Sequence, residues 1–133
     1  MKKIIKKIAI ETGHWRTLSF LYNVYYKIAA EVSIHFIKKI PGVSSIFVRR
    51  SFSGPGWIAG YSDIDLAIVI KRLTPDVEVL ILTKIHRTMS NFMILFPVLS
   101  ASIFCMNEID FARWLSYGNI RRLEFNRWVK RHG

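Results

Sequence analysis

A chain of 133 residues, about half of them apolar, makes one domain with one core and leaves no room for a separate substrate domain. Its formal net charge of +11 excludes a neutral surface and attracts polyanions: nucleic acid, nucleotides or an anionic membrane face. A lone cysteine, Cys105, excludes an intrachain disulfide and fits a reducing, cytoplasmic setting, while His14, His35, His86 and His132 lack metal-ligand spacing.

The first predicted element is a short basic helix over 2–11, carrying Lys2, Lys3, Lys6 and Lys7 and stopped near Gly13. Its apolar piece, Ile8-Ala9-Ile10, is too short for a signal-peptide core, and Glu11 interrupts it. A long amphipathic helix follows over 15–39. Leu18, Leu21, Tyr25, Ile28, Val32 and Phe36 recur at spacings of three and four, and this stripe is expected to face the core. Pro41-Gly42 ends the helix. Residues 43–52, with Val43, Ile46, Phe47, Val48 and Phe52, predict a strand. Gly54, Pro55, Gly56 and Gly60 make 53–62 a loop. Residues 63–70 predict a second strand, almost wholly apolar after two acids, as in a strand covered on both faces.

Thr74 as N-cap and Pro75 at the first helical position start a helix that runs to about Met93. Pro97 breaks the chain, and 98–106 predict a third strand. The uncharged run from Thr88 to Asn107 is long enough to span a bilayer. Its Asn91, Pro97, Ser100 and Ser102 favour a helix end, a turn and a buried strand instead. Asn107 caps a helix ending at Gly118, with Asp110 three residues on. A last basic helix is expected over 119–131, packed on the core through Leu123, Phe125 and Trp128. The order predicts one α/β (α+β) domain over 1–133, with a small mixed sheet of three to four strands flanked by helices. Within it, 1–40 holds the N-terminal helices, 43–106 the strand-loop-strand-helix-strand core, and 107–133 the C-terminal basic helices.

The informative segment for chemistry is Ser62-Asp63-Ile64-Asp65-Leu66. Residues two apart on a strand share a face, so Asp63 and Asp65 project together. Two carboxylates this close repel unless something positive sits between them. Lysine or arginine pairing is one solution. A divalent metal is another, and hard oxygen ligands suit magnesium. Metal held this way activates an attacking oxygen and neutralises charge on a phosphate.

Upstream stands Val48-Arg49-Arg50-Ser51-Phe52-Ser53-Gly54-Pro55-Gly56-Trp57-Ile58-Ala59-Gly60-Tyr61. With the acids, this stretch resembles the nucleotidyltransferase superfamily that includes DNA polymerase beta. The family pattern is a strand ending in Gly-Ser, a loop of about ten residues, and Asp-hydrophobic-Asp on the next strand. Ser51 matches the family serine, and eleven residues separate it from Asp63. The resemblance is close over 46–70 and loose over 20–118. It implies that Asp63 and Asp65 are the catalytic metal ligands for magnesium, and that Ser51 contacts the phosphates of a nucleoside triphosphate. Two departures stand out. Arg50 replaces the family glycine, and there it forks onto phosphate, plugs the pocket or pairs with an acid. The strand Val98-Leu99-Ser100-Ala101-Ser102-Ile103-Phe104 shows serines where relatives carry a third carboxylate. Glu108 and Asp110 lie past it and read as helix-start acids.

The resemblance implies magnesium-dependent transfer of a nucleotidyl group, AMP from ATP in the first instance, to an acceptor the sequence does not identify. The alternative is a catalytically impaired module of the same fold that binds nucleic acid through its basic ends, or a protein partner. The high apolar content of so short a chain favours a buried interface with a partner or with itself. Peripheral binding to anionic lipid is the weakest of these readings. Cys105, inside an apolar run, reads as a buried small hydrophobe.

Overall fold

Five consecutive apolar residues, Leu66–Ile70, form a strand, and all five are buried. Such a run needs cover on both faces of its sheet, and the chain supplies it. The structure, a computed structural model, describes residues 2–12, 16–49, 63–99, 103–118, 125 and 128–133. In chain order its elements are α1 (Lys2–Thr12), α2 (Arg16–Ile37), β1 (Val43–Val48), β2 (Leu66–Ile70), α3 (Pro75–Leu95), β3 (Phe104–Asn107), α4 (Glu108–Ser116) and β4 (Val129–His132). The strands form one sheet in the order β3-β2-β1-β4. β1 is antiparallel to both β2 and β4, and β2 is parallel to β3 across the α3 crossover. This is the mixed, helix-flanked α+β sheet that the sequence predicts.

The two faces of the sheet are built from different residues. Ile46 and Val48 of β1 and Leu66, Ile68 and Ile70 of β2 face α2 and α3, where Tyr26, Ala29, Ile34, Ile81, Ile85 and Met89 complete an aliphatic core. Phe47, Ala67 and Val69 face the other way, against Trp128, Phe104, Phe111 and Phe125. The period-two alternation of a strand sorts the residues into these two sets.

The buried side of α2 differs from the predicted stripe. Tyr26, Ala29, Ala30, Ser33, Ile34 and Ile37 are buried, whereas Leu21, Ile28 and Phe36 are exposed. The helix is apolar on more than one side, so periodicity offered two phases. Small Ala29, Ala30 and Ser33 let the backbone approach the sheet, and the Ser33 hydroxyl is satisfied within the helix by the Ala29 carbonyl at 2.7 Å. Gly42 turns the chain from α2 into β1 with φ +96°, and a Cβ there would collide with Ile81.

Two other expectations change, and a third, Thr74 at the N-cap of α3, is met without a side-chain bond. The C-terminal basic helix predicted over 119–131 is a strand, β4, at its end: residues 129–132 pair with the outer edge of β1. Open backbone groups on β1 outweigh the weak local periodicity there. Thr74 stands at the N-cap of α3, but its side chain makes no capping hydrogen bond. The Glu78 carboxylate instead accepts the Leu73 N–H at 2.9 Å. The third strand begins later than predicted, at Phe104, with an isolated bridge at Leu99 before it. The Asn107 cap forms as predicted, its Oδ1 accepting the Asp110 N–H at 2.9 Å. Among the described residues, no helix is long and apolar enough to cross a membrane.

Candidate functional site

The acids lie at the head of β2. Ile64 is 1% exposed, belongs to the aliphatic core and donates its N–H to the Val98 carbonyl at 2.8 Å. It forms a parallel bridge with Leu99, which carries the strand geometry back past Leu66. Its neighbours Asp63 and Asp65 are half-buried. By alternation they share the aromatic face with Ala67 and Val69. The strand expected over 63–70 begins at Leu66, and Asp63 and Asp65 lie just ahead of it, on either side of the bridged Ile64.

Sequence reasoning missed the cation beside them. The Arg49 N–H donates to the Asp65 carbonyl at 2.9 Å, which extends the β1–β2 register one pair beyond Val48–Leu66. Arg49 therefore faces Asp65 across the strands, on the side where Phe47 and Ala67 lie. Its guanidinium carbon sits 5.3 Å from the centre of the Trp128 ring and 5.5 Å from that of Phe104. Phe104 belongs to β3, on the far side of β2 from Arg49. The guanidinium thus reaches over the head of β2, just behind the acids in the chain. Ala67, fully buried and small, leaves the space beneath.

Aromatic faces hold a guanidinium electrostatically while its N–H groups stay directional. Trp128 is itself fixed by Phe125 at 5.3 Å, Phe104 at 5.7 Å and Phe47 at 6.1 Å between ring centres. Arg49 Nε and Asp63 Oδ1 are both shielded from solvent. Signs for this cation existed in the sequence: an alternating strand that puts Asp65 on one face puts its antiparallel partner there too. The motif drew attention one residue on, to Arg50.

Arg50 and Ser51, the phosphate contacts expected from the resemblance, lie outside the described residues, as do the 53–62 loop, Ser100 and Ser102. Glu108 and Asp110 are placed at the opposite end of the sheet. Asn107 pairs with Ile70, about 16 Å along β2 from Asp65 at the usual strand rise. Glu108 accepts the Arg72 N–H at 3.4 Å, and Asp110 bonds to the Asn107 amide at 2.9 Å. Both do the work of a helix start, as read from the sequence.

Among the described residues, no group of three or more His, Cys, Asp or Glu side chains gathers around a common point. Asp63 and Asp65 are two hard oxygen donors close together in the chain. They suit a magnesium ion that takes its remaining ligands from phosphate and water. Cys105 takes no part: burial pushes its thiol up to about 12, and it packs against the aliphatic core. Comparison of the chain with protein-family models, curated proteins and solved structures gives no match in any of the three.

Proposed function

We propose that the head of β2 is a nucleotide-phosphate site and that the chain is a nucleotidyltransferase-type protein, moving AMP from ATP to an acceptor hydroxyl. The observation that supports this reading is that Asp63 and Asp65 stand just ahead of β2, on either side of the bridged Ile64, with Arg49 bonded across to the Asp65 backbone. Phosphoryl chemistry asks a protein mainly for positioning and charge neutralisation, and this set of groups can do both. Asp63 and Asp65 would hold magnesium. When bound, that ion neutralises phosphate charge and activates the attacking oxygen. Arg49 binds phosphate oxygens through its planar fork, and Trp128 and Phe104 restrain it so that little freedom is lost on binding. Arg50 and Ser51 remain the further phosphate contacts that the resemblance suggests.

A second reading is favoured by the remote places of Glu108 and Asp110, the first accepting the Arg72 N–H and the second bonded to the capping Asn107. With no third carboxylate beside Asp63 and Asp65 among the described residues, the same groups make a phosphate-binding module that holds a nucleotide and does not turn it over.

Calorimetry of ATP binding, with and without magnesium, separates these readings. The wild type is expected to bind in a magnesium-dependent manner, and Asp63→Asn/Asp65→Asn to lose that dependence. Magnesium-dependent binding without pyrophosphate release in any acceptor mixture selects the module. Absence of ATP binding under both conditions overturns the site.

A further inference from the structure

The stripe of α2 that spacing predicts to be core, Leu18, Leu21, Tyr25, Ile28, Val32 and Phe36, lies on a side of the helix that the sheet does not use. Leu21, Ile28 and Phe36 are 58%, 49% and 51% exposed, and Leu18, Tyr25 and Val32 are half-buried. Its rings are held from the α3 side: Phe36 meets Phe92 with 5.3 Å between ring centres, and Tyr25 meets Phe96 at 6.0 Å. α1 reaches α2 through Thr12, hydrogen-bonded to the Tyr22 hydroxyl at 2.7 Å, and leaves Leu21 open. Steps of three and four along a helix make the seam on which a second helix packs. The first seam, through Tyr26, Ala29, Ser33 and Ile37, already seats α2 on the sheet.

Charge narrows what the second seam meets. The chain carries +11, yet between Leu18 and Phe36 the only acidic, lysine or arginine side chains are Lys27 and Glu31. Glu31 pairs with Arg131 of β4, and Lys27 stands one turn before it on the same row. Lys39 lies past the end of the stripe, its Nζ 5.8 Å from the Phe36 ring centre. An acidic helix or an anionic bilayer would find few cations along such a face. A neutral apolar face fits it, and the stripe is itself one. Laid antiparallel on a copy, Leu18 meets Phe36, Leu21 meets Val32 and Tyr25 meets Ile28, each pair repeated about a twofold axis. At roughly 100 Å² for each half-exposed large side chain, the stripe offers about 500 Å² per copy. Two copies together bury about 1,000 Å², the lower bound for a specific interface.

We propose that two copies of this chain associate through α2, packed antiparallel on α2 of the second copy. The interface is small and the copies repel through their net charge, so the dimer is an exchanging one with a Kd in the micromolar range.

The test is sedimentation equilibrium of the full chain from about 5 to 500 µM. A monomer–dimer equilibrium is expected, and added salt should tighten it by screening the repulsion. Leu21→Asp/Ile28→Asp should weaken it about 100-fold or more, since the interface would then bury unpaired carboxylates. Both positions are exposed in the single chain, so the melting temperature of the monomer should stay where it is. Orientation has its own readout. On mild oxidation, Leu21→Cys mixed with Val32→Cys should cross-link faster than either alone, because antiparallel packing sets each position about 16 Å along the helix from its own copy. The chain with only its native thiol, Cys105, is the blank. Asp63→Asn/Asp65→Asn should dimerise as the wild type does, which keeps this result separate from the nucleotide site. A chain that stays monomeric throughout overturns the inference, as does a dimer that Leu21→Asp/Ile28→Asp leaves intact. So does a dimer that loosens with salt, or Leu21→Cys cross-linking to itself as fast as to Val32→Cys. Phosphatidylserine vesicles that bind the wild type but not Leu21→Asp/Ile28→Asp would give the stripe to lipid and also overturn it.

Discussion

The two faces of the sheet differ in the chemistry of their cover. The α2–α3 face is aliphatic and rests under helices of 22 and 21 residues. The opposite face is aromatic and rests under α4, of 9 residues, together with Phe125 and Trp128. The long-helix face has every feature of a core whose only task is stability. The aromatic face carries the acids and Arg49, and its rings both fill space and hold a cation. Stability and site are thus divided between faces, and only on the aromatic side does one residue serve both.

Trp128→Ala is the largest break in that division. Truncating a buried tryptophan costs about 3–5 kcal/mol, read as a shift of the urea midpoint. It also removes one wall of the Arg49 seat. Residual folded protein should therefore bind ATP more weakly than the wild type under native conditions, whereas Trp128→Phe should recover much of both. Equal ATP affinity in folded Trp128→Ala would mean that Arg49 needs no restraint.

Gly42→Ala strikes the aliphatic side alone. Left-handed backbone in a residue with a Cβ, together with the collision with Ile81, should cost about 1–3 kcal/mol. ATP affinity of the folded fraction should not move. A change in affinity matching the change in stability would show that the faces are coupled.

The smallest effect concerns Cys105, also on the aliphatic side. Burial raises its thiol from 9.0 to about 12. The unfolded chain ionises first, so the neutral thiol's contribution to stability is whole below pH 9 and declines as pH rises toward 12. Cys105→Ala should flatten the alkaline slope of the melting temperature relative to wild type. Folded protein should also react slowly with iodoacetamide at pH 8, since little thiolate is present.

The sequence carried the sheet well because β2 is continuous in apolar character and Pro75, Gly42 and Asn107 mark boundaries with local chemistry. It carried α2 less well. Its core phase depends on Ala29, Ala30 and Ser33, small residues that hydrophobic spacing undervalues, while large Leu21, Ile28 and Phe36 lie outside. It missed β4, because four residues with two lysine or arginine side chains become a strand only through the partner waiting on β1. At the site, Asp63 and Asp65 were legible from spacing. Arg49 was not, because its role depends on register and on Trp128 and Phe104, both remote in the chain and both brought in by folding.

β4 closes the edge of β1, its partner farthest from it along the chain. Pairing between distant segments forms slowly, since loop closure must precede any gain from contact. During assembly, then, a Phe- and Val-bearing edge stands open after β1 and β2 have joined, an invitation to neighbouring chains. The step that seals this edge also seats Trp128 against Arg49, so a chain still prone to aggregate is also a chain whose cation is not yet in place.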